Sequence, residues 1–148
     1  MNQTMPPRVQ QDTWMNQTQL GVHFGMSAVA IGKKLAELGL RGEDRMPTER
    51  AKQAGYCRAV PLKDGSPFYV WHRQEITSIF RLAGLEPLSP EESEAYAAAR
   101  SLLAAARDAD RSGIDRIFCI MVDEIPTERY EQVNRQLEHM GSALRLWQ

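Results

Sequence analysis

The chain has 148 residues, 43% of them apolar, with 18 Lys and Arg against 19 Asp and Glu. That is room for one domain or two small ones, with enough apolar material to build a core, so wholesale disorder is excluded. There is no run of about 20 apolar residues to span a membrane, and the opening MNQTMPPRVQQDTW lacks the apolar stretch of a secretory leader, so a cytoplasmic protein is expected.

Residues 1–13 are polar and contain a Pro-Pro pair, the pattern of a disordered tail. Helical signals follow in QTQLGVHFGMSAVAIGKKL. Leu20 and Phe24 share a face, Met26 opens a turn, and Ser27 is suited to cap a second helix by accepting a bond from a free amide one turn ahead. Ile31, Leu35 and Leu38 form the apolar face of that helix, which Gly39 ends. Pro47-Thr48-Glu49 begins a short helix, with Pro at the first helical position, where its missing amide costs nothing. Gly55 stops this helix after about Ala54. The period then changes: Tyr56–Leu62 reads as a strand, Lys63–Ser66 as a tight turn whose Asp-Gly supplies positive φ, and Phe68–Trp71 as the return strand. HRQEITSIFRLAGL follows as a helix with Ile76, Ile79, Phe80 and Ala83 on its buried side. Helix, turn, helix, short helix, hairpin, helix is the layout of a winged helix-turn-helix.

Such a motif needs a small residue where its two helices approach closely and a glycine at the left-handed turn between them. Gly21 and Gly25 stand at those positions. The second helix then offers Ser27, Ala28, Val29, Gly32, Lys33 and Lys34 to the major groove of DNA. Ala28 and Val29 suit thymine methyl groups, Lys33 a guanine edge or a phosphate, and Ser27 with the free amides of the helix start a phosphate. This face lacks Arg, Asn and Gln, so modest base discrimination is expected. Arg58, Lys63, His72 and Arg73 would charge the wing. The competing reading is two short core helices meeting at a corner. WMNQTQLGVHFGMSAVAIGKKLAELGLR, followed by PTERAKQAGY and a hairpin, resembles the C-terminal DNA-binding domain of phage antirepressor proteins over about residues 14–85. The resemblance implies a winged-helix DNA binder of phage, plasmid or integrated-element origin.

Gly84–Glu92, with two prolines, reads as a linker between a domain at 14–86 and a second region at 89–148. Charge divides there as well. Residues 1–83 hold 11 Lys and Arg against 7 acidic residues, and residues 84–148 hold 7 against 12. Ser89-Pro90-Glu91-Glu92 is a strong helix start, and the Ala-rich helix should reach about Arg111 with Tyr96, Leu102, Leu103 and Ala106 as its apolar stripe. Ser112-Gly113 breaks it. Ile117–Val122 is nearly continuous apolar sequence: a strand buried on both faces, or a buried helix, with the β-branched content and flanking Gly113 and Pro126 favouring the strand. PTERYEQVNRQLEHMG is a helix, and Leu144 and Leu146 alternate as in a last strand. The expected fold is therefore α+β: a winged helix-turn-helix, a long helix, and a strand-helix-strand unit like half of a ferredoxin fold. Its open sheet edge predicts a homodimer through residues 89–148.

No catalytic constellation stands out. Asp123 and Glu124 are adjacent and on a strand would point apart, and His139 has no partner at ligand spacing. His23 and His72 read as packing or rim residues, and Cys57 and Cys119 as reduced and buried. No enzyme, cofactor or metal is expected. The function expected is a dimeric, sequence-specific transcriptional regulator that binds double-stranded DNA. The alternative is a winged-helix module that docks a protein partner without binding DNA.

Overall fold

The computed structural model describes residues 13–147, so the tail expected at 1–13 lies almost wholly outside the described residues. The fold is α+β and divides into two compact units, with the boundary between residues 87 and 88.

The first unit begins with β1 (Trp14–Met15), then α1 (Gln17–Phe24), α2 (Ala28–Glu37), α3 (Glu49–Gln53), β2 (Cys57–Pro61), β3 (Pro67–His72) and α4 (Arg73–Leu82). Helix α1 is closed at its start by a reciprocal capping box between Asn16 and Gln19. It ends at Gly25, whose φ of 72° places it in the left-handed region. The chain then turns tightly enough that the Met26 amide donates to the Gly21 carbonyl at 2.8 Å. Ser27 caps α2, its Oγ accepting from the Ala30 amide at 3.0 Å. Leu20, Phe24, Ile31, Leu35 and Leu40 meet Trp71, Ile76 and Phe80 in one core, with the Phe24 and Phe80 rings 4.9 Å apart.

The sheet has the order β1-β3-β2, all antiparallel, with Trp14 opposite His72 and Cys57 opposite Trp71. Strand β1 was not anticipated: two residues are too few to show alternation, and pairing alone defines them. Three local details differ from expectation. Pro47 lies before the cap of α3 rather than inside it; Thr48 caps the helix and also donates its hydroxyl to the Gly39 carbonyl at 2.9 Å. In the hairpin only Gly65 takes positive φ (85°), and the Gly65 amide bonds the Leu62 carbonyl at 2.9 Å. The loop is therefore an ordinary turn followed by a left-handed glycine rather than a two-residue Asp-Gly turn. Ala83 is exposed, at the end of α4.

Among the described residues the second unit contains helices only: α5 (Pro90–Ser112), α6 (Arg116–Glu124), a 3-10 turn (Thr127–Arg129) and α7 (Tyr130–His139). Ser89 and Glu92 form a capping box at the start of α5. The Ser89 amide and hydroxyl hold the Glu92 carboxyl below its ordinary pKa. Gly113 ends α5 in the left-handed conformation, with φ 76°. Ala95, Ala99 and Leu102 of α5 pack on Val133 and Leu137 of α7 and on Leu146, while Phe118, Met121, Val122 and Ile125 pack on them from the side.

The strand-helix-strand expectation is thereby overturned. Ile117–Val122 lies within helix α6, and the segment after Gly141 forms no strand. That segment is held instead by Asn134, whose amide donates to the Leu146 carbonyl at 2.9 Å and accepts from the Leu146 amide at 2.7 Å. With no sheet there is no open edge, so the edge-strand argument for a homodimer falls. Cys57 is buried, and burial pushes its thiol pKa up, but Cys119 is exposed on α6 rather than buried.

A Cβ at Gly21 would stand 2.3 Å from the Met26 carbonyl oxygen, a backbone atom that cannot swing aside. Gly21→Ala should therefore cost about 2 kcal/mol, read as a melting temperature lower by about 10 °C in circular dichroism.

Candidate nucleic-acid interface

The outward face of α2 carries Ser27, Val29 and Lys33 as exposed residues, with Val29 67% accessible. Ala28 is half-buried, and its carbonyl accepts the Gln17 side-chain amide at 3.0 Å. Lys34 is also half-buried, its Nζ 3.1 Å from a Glu37 carboxylate oxygen. Gly32 is not presented. It is buried, because the guanidinium of Arg41 and the amide of Gln17 lie over it; a Cβ there would stand 2.0 Å from an Arg41 terminal nitrogen.

Those covering residues complete the face. The chain leaves α2 at Gly39 and folds back, so that Arg41 and Arg45 line one cleft together with Val29, Gly32 and Lys33. The loop is built to hold them. Gly42 donates to the Met46 carbonyl at 2.9 Å, Arg45 to the Gly42 carbonyl at 3.0 Å, and the Met46 amide to Asp44 Oδ1 at 3.0 Å. Arg41 and Pro47 pair as an isolated antiparallel bridge. Arg45 itself sits at φ 67°, the one non-glycine with positive φ among the described residues. That conformation costs an ordinary side chain roughly 1–2 kcal/mol.

Gln17 and Arg45 also line the adjoining cleft, with Phe68 and Tyr69 of the hairpin. The surface thus runs without a break from α2 through the arginine loop to β3. The helix itself is poor in Arg and Gln, as its sequence indicates; the fold supplies both from outside it. No periodicity announces such residues, because they lie in a loop and at the start of α1. The one available signal was the Arg41–Arg45 pair in a short Gly-containing segment between two helices.

Of the four residues expected to charge the wing, Arg58 and Lys63 lie on the hairpin, His72 ends β3 and Arg73 opens α4. Arg58 lies over the Trp14 ring, its guanidinium carbon 4.4 Å from the centroid, which ties β2 to β1 through a cation–π contact. Lys63 is exposed in the hairpin loop. His72 caps α4, its Nδ1 accepting from the Glu75 amide at 3.4 Å, and meets Trp14 edge-on at 5.1 Å. Arg73 is half-buried and lines a separate cleft with His23 and Arg81.

Among the described residues, no three His, Cys, Asp or Glu side chains are grouped as a metal ion would require, and no helix is long and apolar enough to cross a membrane. Comparison of the chain with protein-family models, with curated proteins and with solved structures returns no match.

The clash at Gly32 is with the ends of flexible side chains, unlike that at Gly21. Gly32→Ala should therefore keep the stability of the protein or raise it by up to about 1 kcal/mol, since Ala favours a helix interior over Gly. The check is a melting curve equal to or above that of the parent, with the Arg41 side-chain resonances displaced in NMR spectra.

Proposed function

We propose that the first unit is a winged helix-turn-helix that binds double-stranded DNA sequence-specifically, and that the chain is a transcriptional regulator of the type borne by phages, plasmids and integrated elements. Helix α2 enters the major groove, with Val29 facing thymine methyl groups and Lys33 a phosphate or guanine. Arg41 and Arg45 supply the bidentate donors that α2 lacks. The hairpin steadies the complex at its flank. Two copies joined through the second unit would read two half-sites of an inverted repeat in the cytoplasm. The reading assigns the chain no catalysis, cofactor or metal.

One observation carries the proposal: an arginine occupies the left-handed position at the rim of the cleft, where glycine would fit without strain. Strain of this kind is retained where the side chain is needed.

Arg45→Gly separates the two roles. It should leave the melting temperature unchanged or higher, and weaken binding to sites selected from a random DNA pool by about 5- to 150-fold, corresponding to about 1–3 kcal/mol for one bidentate base pairing. Base preference at one position should relax at the same time. Lys33→Ala with Lys34→Ala should weaken binding to all sequences and flatten the salt slope by ~1 for each phosphate no longer neutralised. Unaltered affinity in both variants would reject the placement of DNA on this face.

The second reading, a module that docks a protein partner, draws on Val29, two-thirds exposed near the middle of the face, and on Lys34, already paired with Glu37. Heparin retention at moderate salt discriminates: strong retention favours DNA, and none favours the protein partner.

A further inference from the structure

Helix α6 carries its charges against its own dipole. Arg116 stands at the first position, and Asp123 and Glu124 stand in the last turn. A helix favours the reverse, with acids at its positive start and bases at its negative end. No ion pair within the described residues compensates either end. Asp115, which precedes the helix, makes no capping bond and falls on the opposite side from Ile117 and Ile120.

The outward ridge of the same helix is apolar. Ile117 and Ile120 are 63% and 50% exposed, one turn apart, and Ile114 just before the helix is 68% exposed. Isoleucine has little helix propensity to justify it on a solvated face. Arg116 and Glu124 lie four residues to either side of Ile120, on that same ridge.

We infer that this ridge is a self-association surface, and that its partner is a second copy of the chain laid antiparallel across it. The antiparallel direction answers both anomalies. Ile117 and Ile120 of each copy cover those of the other. The Arg116 end of each helix lies beside the Asp123–Glu124 end of its mate, so each misplaced charge meets its opposite and each helix terminus meets its complement. A two-fold axis through the seam makes the contact closed and self-complementary. A parallel pairing would set like charges together at both ends. This inference deepens the pairing assumed under the proposed function, and replaces the open sheet edge as its physical basis. A seam of this size belongs to the weak class of interfaces, below about 1,200 Å², so the equilibrium depends on concentration and is steadied when two half-sites hold both copies.

The experiment is sedimentation equilibrium of the full chain across the micromolar range, without DNA. The mass should climb from one chain toward two. Ile120→Glu should abolish the climb while leaving the far-ultraviolet circular dichroism unchanged. Arg116→Glu alone should weaken association at least tenfold, as should Asp123→Lys with Glu124→Lys; the three substitutions together should restore it. A nitroxide on Cys119, the exposed thiol of the two, should give one short inter-copy distance. A mass fixed at one chain overturns the inference, and so does association that survives Ile120→Glu or is not rescued by the charge exchange. A chain that dimerises in this way but binds no DNA sinks only the DNA reading. One that binds DNA while staying single sinks only the pairing.

Discussion

The corner at Gly25 governs everything built in the first unit. The left-handed turn there brings the Met26 amide onto the Gly21 carbonyl, and the closeness of that approach leaves no space for a side chain at residue 21. Ser27 then starts α2 at once by capping it. Because the corner is short and bonded on both sides, the direction of α2 is set by α1, which is itself fixed to the core by Leu20 and Phe24. Ile31 and Leu35 turn inward, and Val29 and Lys33 are left outside. The surface proposed to meet DNA is the remainder after the core has taken its share of α2.

That remainder is completed by a loop. Arg41 and Arg45 come from a segment closed by backbone bonds around Gly42 and by Asp44. The Arg41 guanidinium reaches α2 only because Gly32 has no side chain in the way. One glycine thus permits a corner and another permits a cover, and both follow from the absence of a Cβ rather than from backbone freedom.

The parts legible in the sequence were those encoded within a few residues. The caps at Ser27 and Ser89, the stops at Gly39, Gly55 and Gly113, the inward face of α2 and, Ala83 apart, that of α4 depend on local spacing, and the structure has them. What was not legible depends on pairing between distant residues. Strand β1 exists through its partner β3. The arginine loop folds back on a helix it follows. Ile117–Val122 has a composition suited to either a strand or a helix, and tertiary packing of Phe118, Met121, Val122 and Ile125 settles it as helix. The segment after Gly141 alternates like a strand, but without a neighbouring strand to pair with it is held by the Asn134 side chain and by the packing of Leu144 and Leu146.

That side chain, Asn134, has a wider consequence. The segment it holds has no regular structure, yet Leu146 is one of the six buried residues of the rear core, and its backbone N–H and C=O are both satisfied by a single amide on α7. The same end of the chain is tied to α7 again where the Ser142 amide donates to the Leu137 carbonyl at 3.0 Å. A stretch without helix or strand thus closes the rear core, and one polar side chain on α7 fixes the backbone that carries its last buried leucine.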